Sequence, residues 1–309
     1  MINNIFIFIV ALYFVIRGST MATKYAKKLA EGFSISKYTV GFIIIAVISI
    51  LPEMFISIDA AIKGVPAFGL GMLFGSNIAD LTLIFAILII YSGRSLKIES
   101  KILKNHMIYP FLLLVPLILG IDGYFSRLEG IALIVVGVVF YFIALRDEKK
   151  YKSVAVNTEG RQKNILLLLG SMAVLLVGAH FIVTSATVLA KGLGVSPVLI
   201  GMLVVGLGTT MPELFFSLQA IKKKEDSLAV GDLLGTVLSD ATIVIGIIAL
   251  ISPFYFPKKI IYVTGIFMVI ASFILFHFMR SGKTLTKVEA YKLFGFWLLF
   301  VFVEVIINT

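Results

Sequence analysis

The sequence predicts an all-α membrane protein whose ten transmembrane helices form two inverted five-helix repeats. Three observations predict this. The 309 residues are 60% hydrophobic and only 14% charged, with a mean hydropathy of +1.07, well beyond the range of a water-soluble domain. The apolar residues gather into ten stretches, most of them near the roughly 20 residues that a helix needs to cross hydrocarbon and too long and uniform for barrel strands. The dipeptide Pro-Glu occurs at 52–53 and again at 212–213, inside apolar stretches, and 212 − 52 = 160.

The spans are expected near residues 3–23, 38–62, 67–91, 106–121, 125–145, 164–187, 197–221, 227–251, 259–279 and 290–308. The first lacks a basic amino-terminal flank and a small-residue cleavage site, so it reads as a retained helix rather than a signal peptide. The second carries Pro52 and Glu53, and the third carries Gly71, Gly75, Ser76 and Asp80. The fourth and fifth flank a short turn with Asp122 and Glu129. The polar stretch from Arg146 to Lys163 reads as the linker between the halves, giving units at 1–145 and 164–309. His180 in the sixth span reads as a packed residue. The seventh carries Thr209, Thr210, Pro212 and Glu213, and the eighth carries Gly231, Gly235, Thr236 and Asp240. Glu304, close to the end of the tenth, is expected to reach the headgroups, and Asp59 to sit at a mouth or interface. There are no cysteines, which excludes disulfides and thiolate metal sites.

The net charge of +10 could suggest nucleic acid, but its distribution does not. Arg94, Lys97, Lys101 and Lys104 fall in one loop. Arg146, Lys149, Lys150, Lys152, Arg161 and Lys163 fall in another. Lys222, Lys223 and Lys224 form a third group, and Arg280, Lys283, Lys287 and Lys292 a fourth. With ten spans, all four groups share one side together with Lys24, Lys27, Lys28 and Lys37. That asymmetry makes this side cytoplasmic and puts both termini outside.

The offset of 160 extends well beyond Pro-Glu. It pairs Gly41 with Gly201, Ser57 with Ser217, Gly71 with Gly231, Gly75 with Gly235, Asp80 with Asp240 and Thr82 with Thr242. About a quarter of the positions from 41 to 90 match their partners, the signature of an internal repeat. Five spans per half is an odd number, so the halves would insert in opposite directions, as in secondary transporters that bind substrate at the repeat interface.

A carboxylate in an apolar helix is costly and marks a functional site by default. Ser49, Glu53 and Ser57 are four residues apart and share one helix face. Thr209, Glu213 and Ser217 repeat that row, with Thr210 adjacent; Ser76–Asp80 and Thr236–Asp240 form the second pair of rows. Pro52 and Pro212 withdraw the amide partners of the Ile48 and Gly208 carbonyls. Every polar group here offers oxygen, which suits a hard cation such as calcium, with about 6–8 oxygen ligands, better than zinc or copper. One divalent ion, or several sodium ions or protons, could balance the carboxylates, so alternating occupancy is a reasonable cycle. The glycine pairs read as helix packing.

At these residues the chain resembles the calcium/cation antiporter superfamily, particularly its prokaryotic sodium/calcium exchangers. Those carry a G-T-S-x-P-E stretch followed by G-N-x-x-G-S-N-x-x-N/D in each half. Here the second half reads GLGTTMPELFFS and then GDLLGTVLSD; the first reads VISILPEMFIS and then GMLFGSNIAD. The resemblance covers nearly the whole chain. It implies exchange of calcium for sodium in the cell membrane by alternating access, with no organic cofactor and no enzymatic activity. One chain already holds both halves, so a functional monomer is expected. It implies Glu53 and Glu213 as central calcium ligands, with Ser76, Asp80, Thr236 and Asp240 in flanking sites. Backbone oxygens near Ala46, Ser49, Gly206 and Thr209 would contribute. The first span of each half would slide across the remaining helices. The chain departs from the pattern at Ile48-Ser49-Ile50, at Met72 and Asp232 where asparagine is usual, at Val237, and at Asp80, which is asparagine in some members. Proton or potassium coupling stays open, and a passive channel is the remaining rival within transport. The chain has no H-E-x-x-H, G-x-S-x-G or P-loop motif.

Overall fold

The computed structural model describes residues 2–30, 42, 45–98, 108–146 and 161–308. Most of the expected linker, the first turn of the second span and the start of the fourth lie outside these residues, as do Lys37, Lys101, Lys104 and His106.

The described helices group into ten segments. α1 is Ile2–Ala30. α2 comprises Ala46–Ser49 and Leu51–Ile62, interrupted at Ile50. α3 is Pro66–Ser92. α4 comprises Tyr109–Leu112 and Val115–Leu119. α5 is Arg127–Arg146 and α6 Arg161–Leu193. α7 is Pro197–Lys222, α8 Asp226–Ile251, α9 Ile260–Arg280 and α10 Lys287–Asn308. Five of them (α3, α7, α8, α9 and α10) are long and apolar enough to cross a membrane, and Asn3–Gly18, Tyr109–Leu119 and Val177–Leu193 are shorter apolar helices. α3 and α8 are the enclosed centre, with 83% and 78% of their apolar windows buried, against 22% for α10. Phe6, Leu128, Phe142, Leu166 and Phe302 stay exposed, as expected for side chains that meet lipid rather than water.

Local chemistry sets the ends. α1 and α6 run past the expected 3–23 and 164–187, because basic residues such as Lys24 and Lys191 let a helix continue beyond an apolar stretch. Pro110 and Pro116 each start a new turn and split α4. α5 begins in a capping box: Ser126 N and Oγ donate to Glu129 Oε2 at 2.7 and 2.8 Å, and Glu129 N donates to Ser126 Oγ. Thr286 and Glu289 repeat that box before α10, also 160 residues on.

The backbone follows the same offset more closely than the side chains do. The interruption of α2 at Ile50 (φ −71°, ψ −6°) recurs in α7 at Thr210 (φ −77°, ψ −3°). A π-helical turn at Asp80–Ile84 recurs at Asp240–Val244. Left-handed residues occur at Gly64 and Gly123, and again at Lys224 and Lys283. Among the described residues, two short antiparallel ladders link the halves. β1 (Leu96–Lys97) pairs with β4 (Thr284–Leu285), and β2 (Tyr124–Phe125) pairs with β3 (Phe254–Tyr255). The offset carries β2 onto β4 and β1 close to β3, so it exchanges one ladder for the other.

Close helix contacts obey the same exchange. A Cβ on Gly75 would stand 2.3 Å from the Met202 carbonyl oxygen, and one on Gly235 would stand 2.2 Å from that of Phe42. Since 42 + 160 = 202, these are one contact made twice. The missing side chains let α3 lie on α7 and α8 lie on α2 at backbone distance.

Candidate cation-binding site

Two proline-interrupted helices, α2 and α7, meet two helices with π turns, α3 and α8, at the protein centre. The π turns begin at Asp80 and Asp240, a feature that recurs at functional sites. Pro52 and Pro212 start fresh helical turns that carry Glu53 and Glu213 one residue later. All eleven expected site residues, Ala46, Ser49, Glu53, Ser76, Asp80, Gly206, Thr209, Thr210, Glu213, Thr236 and Asp240, are buried.

The carboxylates sit within electrostatic reach of one another. Glu53 acts on Asp80, Glu213 and Asp240, and Asp80 acts on Glu213 and Asp240. Two like charges 4 Å apart repel by about 4 kcal/mol at an effective dielectric of 20, so a fully ionised set requires counter-charge. The described residues supply none: both carboxylate oxygens of Asp80, Glu213 and Asp240, and Oε2 of Glu53, are buried without a hydrogen-bond partner among them. Among the described residues, no three histidine, aspartate or glutamate side chains form a metal cage by themselves. A cation here would need hydroxyls and carbonyls as well.

Those groups are present. Ser76 Oγ donates to Leu73 O at 3.0 Å, Thr209 Oγ1 to Gly206 O at 3.0 Å and Thr210 Oγ1 to Leu207 O at 3.0 Å. A hydroxyl that donates its proton to its own helix keeps its oxygen lone pairs for a cation. Thr209 also lies against the Glu53 carboxylate, a contact that joins the two interrupted helices. Thr236 Oγ1 is unpartnered. The backbone oxygens differ between the halves. Ala46 O accepts Ile50 N at 3.0 Å, whereas Gly206 O accepts both Thr210 N at 3.1 Å and Thr209 Oγ1.

Ser57 and Ser217, which could have bonded their own helices, have unpartnered buried hydroxyls instead. Gly69 packs directly on Ser57, where an added Cβ would lie 3.0 Å from its Cα. In the sequence Asp232 stands out only as a departure from a motif. It is fully buried and accepts Ser49 Oγ at 3.1 Å on Oδ1. Its signal was weak because its partner in the other half is Met72. Asn77 is another buried polar neighbour, donating to Met268 Sδ at 3.6 Å.

Two expectations outside the site need correction. Glu304 does not reach the headgroups. It is 2% exposed, its Oε1 accepts Thr264 Oγ1 at 2.5 Å and its Oε2 accepts Asn308 Nδ2 at 2.8 Å. Those two donors hold it inside the α9–α10 contact. His180 is not packed away: its side chain is 57% exposed and its Nδ1 meets Asp59 Oδ1 at 3.2 Å. Asp59 also pairs with Lys63 at 2.7 Å, and Lys63 Nζ donates to His180 O and Thr184 Oγ1 on α6. On the opposite face, Arg94 grips Asp226 through two bonds of 2.7 and 2.6 Å, and Lys97 N adds a third. The bonded carboxylate raises Arg94 further above its ordinary pKa.

Comparisons with known proteins bear on the chain as a whole. A family model described as sodium/calcium exchanger protein matches residues 3–146 and 163–306, two segments whose starts are also 160 apart. The sodium/calcium exchanger MaX1 of Methanosarcina acetivorans is 24% identical, over 97% of this chain and 98% of its own. The inner membrane protein YrbG of Escherichia coli is 26% identical, over 79% of each chain. A solved structure of the sodium-calcium exchanger NCX_Mj, soaked with sodium and strontium, superposes with a TM-score of 0.73 at 22% identity, covering 97% of both chains. The chain therefore belongs to the sodium/calcium exchanger protein family, whose members are membrane transporters and not enzymes.

Proposed function

We propose that this protein is a secondary-active antiporter that exchanges calcium for sodium across the cell membrane by alternating access. The observation that carries the proposal is the group of four buried carboxylates, Glu53, Asp80, Glu213 and Asp240, which interact electrostatically yet have no basic partner among the described residues. Their charge calls for a mobile cation, and each half of the chain contributes two of them. Glu53 and Glu213 would hold calcium centrally. Ser76, Asp80, Thr236 and Asp240 would complete flanking positions, helped by the oxygens of Ser49, Thr209 and Thr210 and the carbonyls of Ala46 and Gly206. Calcium offsets two of the four charges. Sodium ions would offset them in its place, so an empty or half-filled site is unfavourable and crossing is tied to occupancy.

The architecture proposed for this cycle is ten crossings in two inverted units, 1–145 and 164–309, joined by a linker at 146–163, with both termini outside and one chain sufficient. The 160-residue recurrence of helix interruptions, π turns and ladders supports the two-unit reading. α1 and α6 pack side by side over much of their length and border a groove of about 510 Å³ lined by residues such as Phe14 and Phe181. This contact suits a pair of helices that moves together against the remainder.

Reconstituted protein tests the proposal. Calcium-tracer uptake into proteoliposomes should follow an outward sodium gradient and should not follow proton or potassium gradients of equal size. Uptake driven by protons or potassium would replace the counter-ion, a reading favoured by the additional aspartates at 80 and 232. Single-channel current steps would refute exchange altogether.

A further inference from the structure

The correspondence between halves fails at several buried polar positions, and at one of them, beside the central site, a carboxylate in one half faces an apolar residue in the other. Met72 in α3 matches Asp232 in α8, because 232 − 72 = 160, and both are fully buried. Asp232, Thr236 and Asp240 are four residues apart, so they form one row along α8 with a step of about 6 Å. The matching row on α3 reads Met72, Ser76, Asp80. The oxygen-bearing row is therefore one turn longer on α8.

The extra turn points in a definite direction. It leads from Asp240 toward Asp226, which Arg94 and Lys97 hold at the basic loop, the cytoplasmic face in the proposed topology. Ser49 lies on the same side of Glu53 and donates to Asp232 Oδ1 at 3.1 Å. Its counterpart Thr209 donates to Gly206 O in its own helix and lies against the Glu53 carboxylate, since position 72 offers no carboxylate. Asp232 Oδ2 has no partner, nor has Thr236 Oγ1. Asp232 acts electrostatically on Asp80 and Glu213, so its free oxygen belongs to the same field as the central carboxylates. No described lysine, arginine or histidine pairs with it. A buried carboxylate oxygen without a donor is costly, and a cation shared with neighbouring hydroxyls removes that cost.

We propose that Asp232 is a fifth carboxylate ligand, holding a cation together with Ser49 Oγ and Thr236 Oγ1 on the cytoplasmic flank of the central site. The outer flank has Met72 at the matching position and no equivalent ligand. This rests on the exchanger reading and makes the transporter lopsided: cations arriving from the cytoplasm meet a charged station that those arriving from outside do not.

The test is Asp232→Asn, which keeps an acceptor for Ser49 but removes the charge, alongside Asp232→Met, which copies the other half. Calcium-tracer exchange is measured in vesicles of each orientation. Half-saturating calcium should rise about tenfold or more at the cytoplasmic face and less than about twofold at the outer face, in both variants. Equal changes at both faces, or none, overturn the proposal, as does an effect of Asp232→Met without one of Asp232→Asn, which would mean that Asp232 only positions Ser49. If the wild type exchanges no calcium, the exchanger reading fails by itself. Equilibrium binding of radioactive sodium and calcium to purified protein then decides the Asp232 site: weaker binding of either ion in both variants supports it, and unchanged isotherms overturn it.

Discussion

Gly75→Ala and Gly235→Ala test whether the paired backbone contacts place the ion ligands. The added Cβ would stand 2.3 Å from Met202 O or 2.2 Å from Phe42 O, whereas ordinary contact begins near 3.4 Å. Subtraction gives a required separation of 3.4 − 2.3 = 1.1 Å in one half and 3.4 − 2.2 = 1.2 Å in the other. The obstruction is helix backbone, so no side chain can turn aside. Overpacking of this kind costs about 1–3 kcal/mol, enough to lower thermal stability without preventing folding. Gly75 immediately precedes Ser76, and Gly235 precedes Thr236. A shift of about 1 Å at either helix moves its ligands relative to Glu53 and Glu213, and a misplacement of that size can reduce rates by about 100-fold. Gly170→Ala and Gly295→Ala are the controls, since nothing lies within 4 Å of a Cβ there. The assay pairs tracer exchange in proteoliposomes with a thermal melt in detergent. Both contact variants should lose at least about tenfold in exchange rate while the controls keep theirs. Normal exchange and an unchanged melt in Gly75→Ala would refute the packing argument.

Two other perturbations probe the scaffold away from the ions. Tyr109 is fully buried and donates its hydroxyl to Leu234 O, tying α4 to α8; Tyr109→Phe should cost about 1 kcal/mol, lower the melting midpoint and leave ion affinity unchanged in binding assays. Arg94→Ala removes a bidentate partner from Asp226, with a partly exposed guanidinium, so a cost of about 1 kcal/mol is expected. Arg94→Lys should recover little of it, because an ammonium cannot reproduce the two-pronged geometry, as a melt at low and high salt would check.

Much of this site was legible in the sequence because its chemistry is unusual for its surroundings. Glu53, Glu213, Asp80 and Asp240 stand out in apolar stretches, and their common offset of 160 links them before any contact is known. Pro52 and Pro212 announced the helix interruptions, and the glycine pairs announced close packing. What stayed hidden depended on distant partners. Ser49 and Asp232 are 183 residues apart, and Asp232 lacked a carboxylate partner in the other half to draw attention to it. Glu304 was misplaced because its donor Thr264 lies 40 residues away on α9. His180 was misplaced because Asp59 and Lys63 belong to another helix. Lys224 and Lys283 take left-handed conformations that glycine holds at Gly64 and Gly123. There the repeated backbone geometry persists where the residue type conceals it.

The central claim is that acidic side chains of both halves share one cation site. Equilibrium calcium binding to purified wild type, Glu53→Gln and Glu213→Gln measures this directly. A shared site predicts that each single substitution removes high-affinity binding almost entirely while the protein still melts cooperatively. Retention of half the bound calcium at unchanged affinity in each variant would contradict it, because two independent sites would then be present.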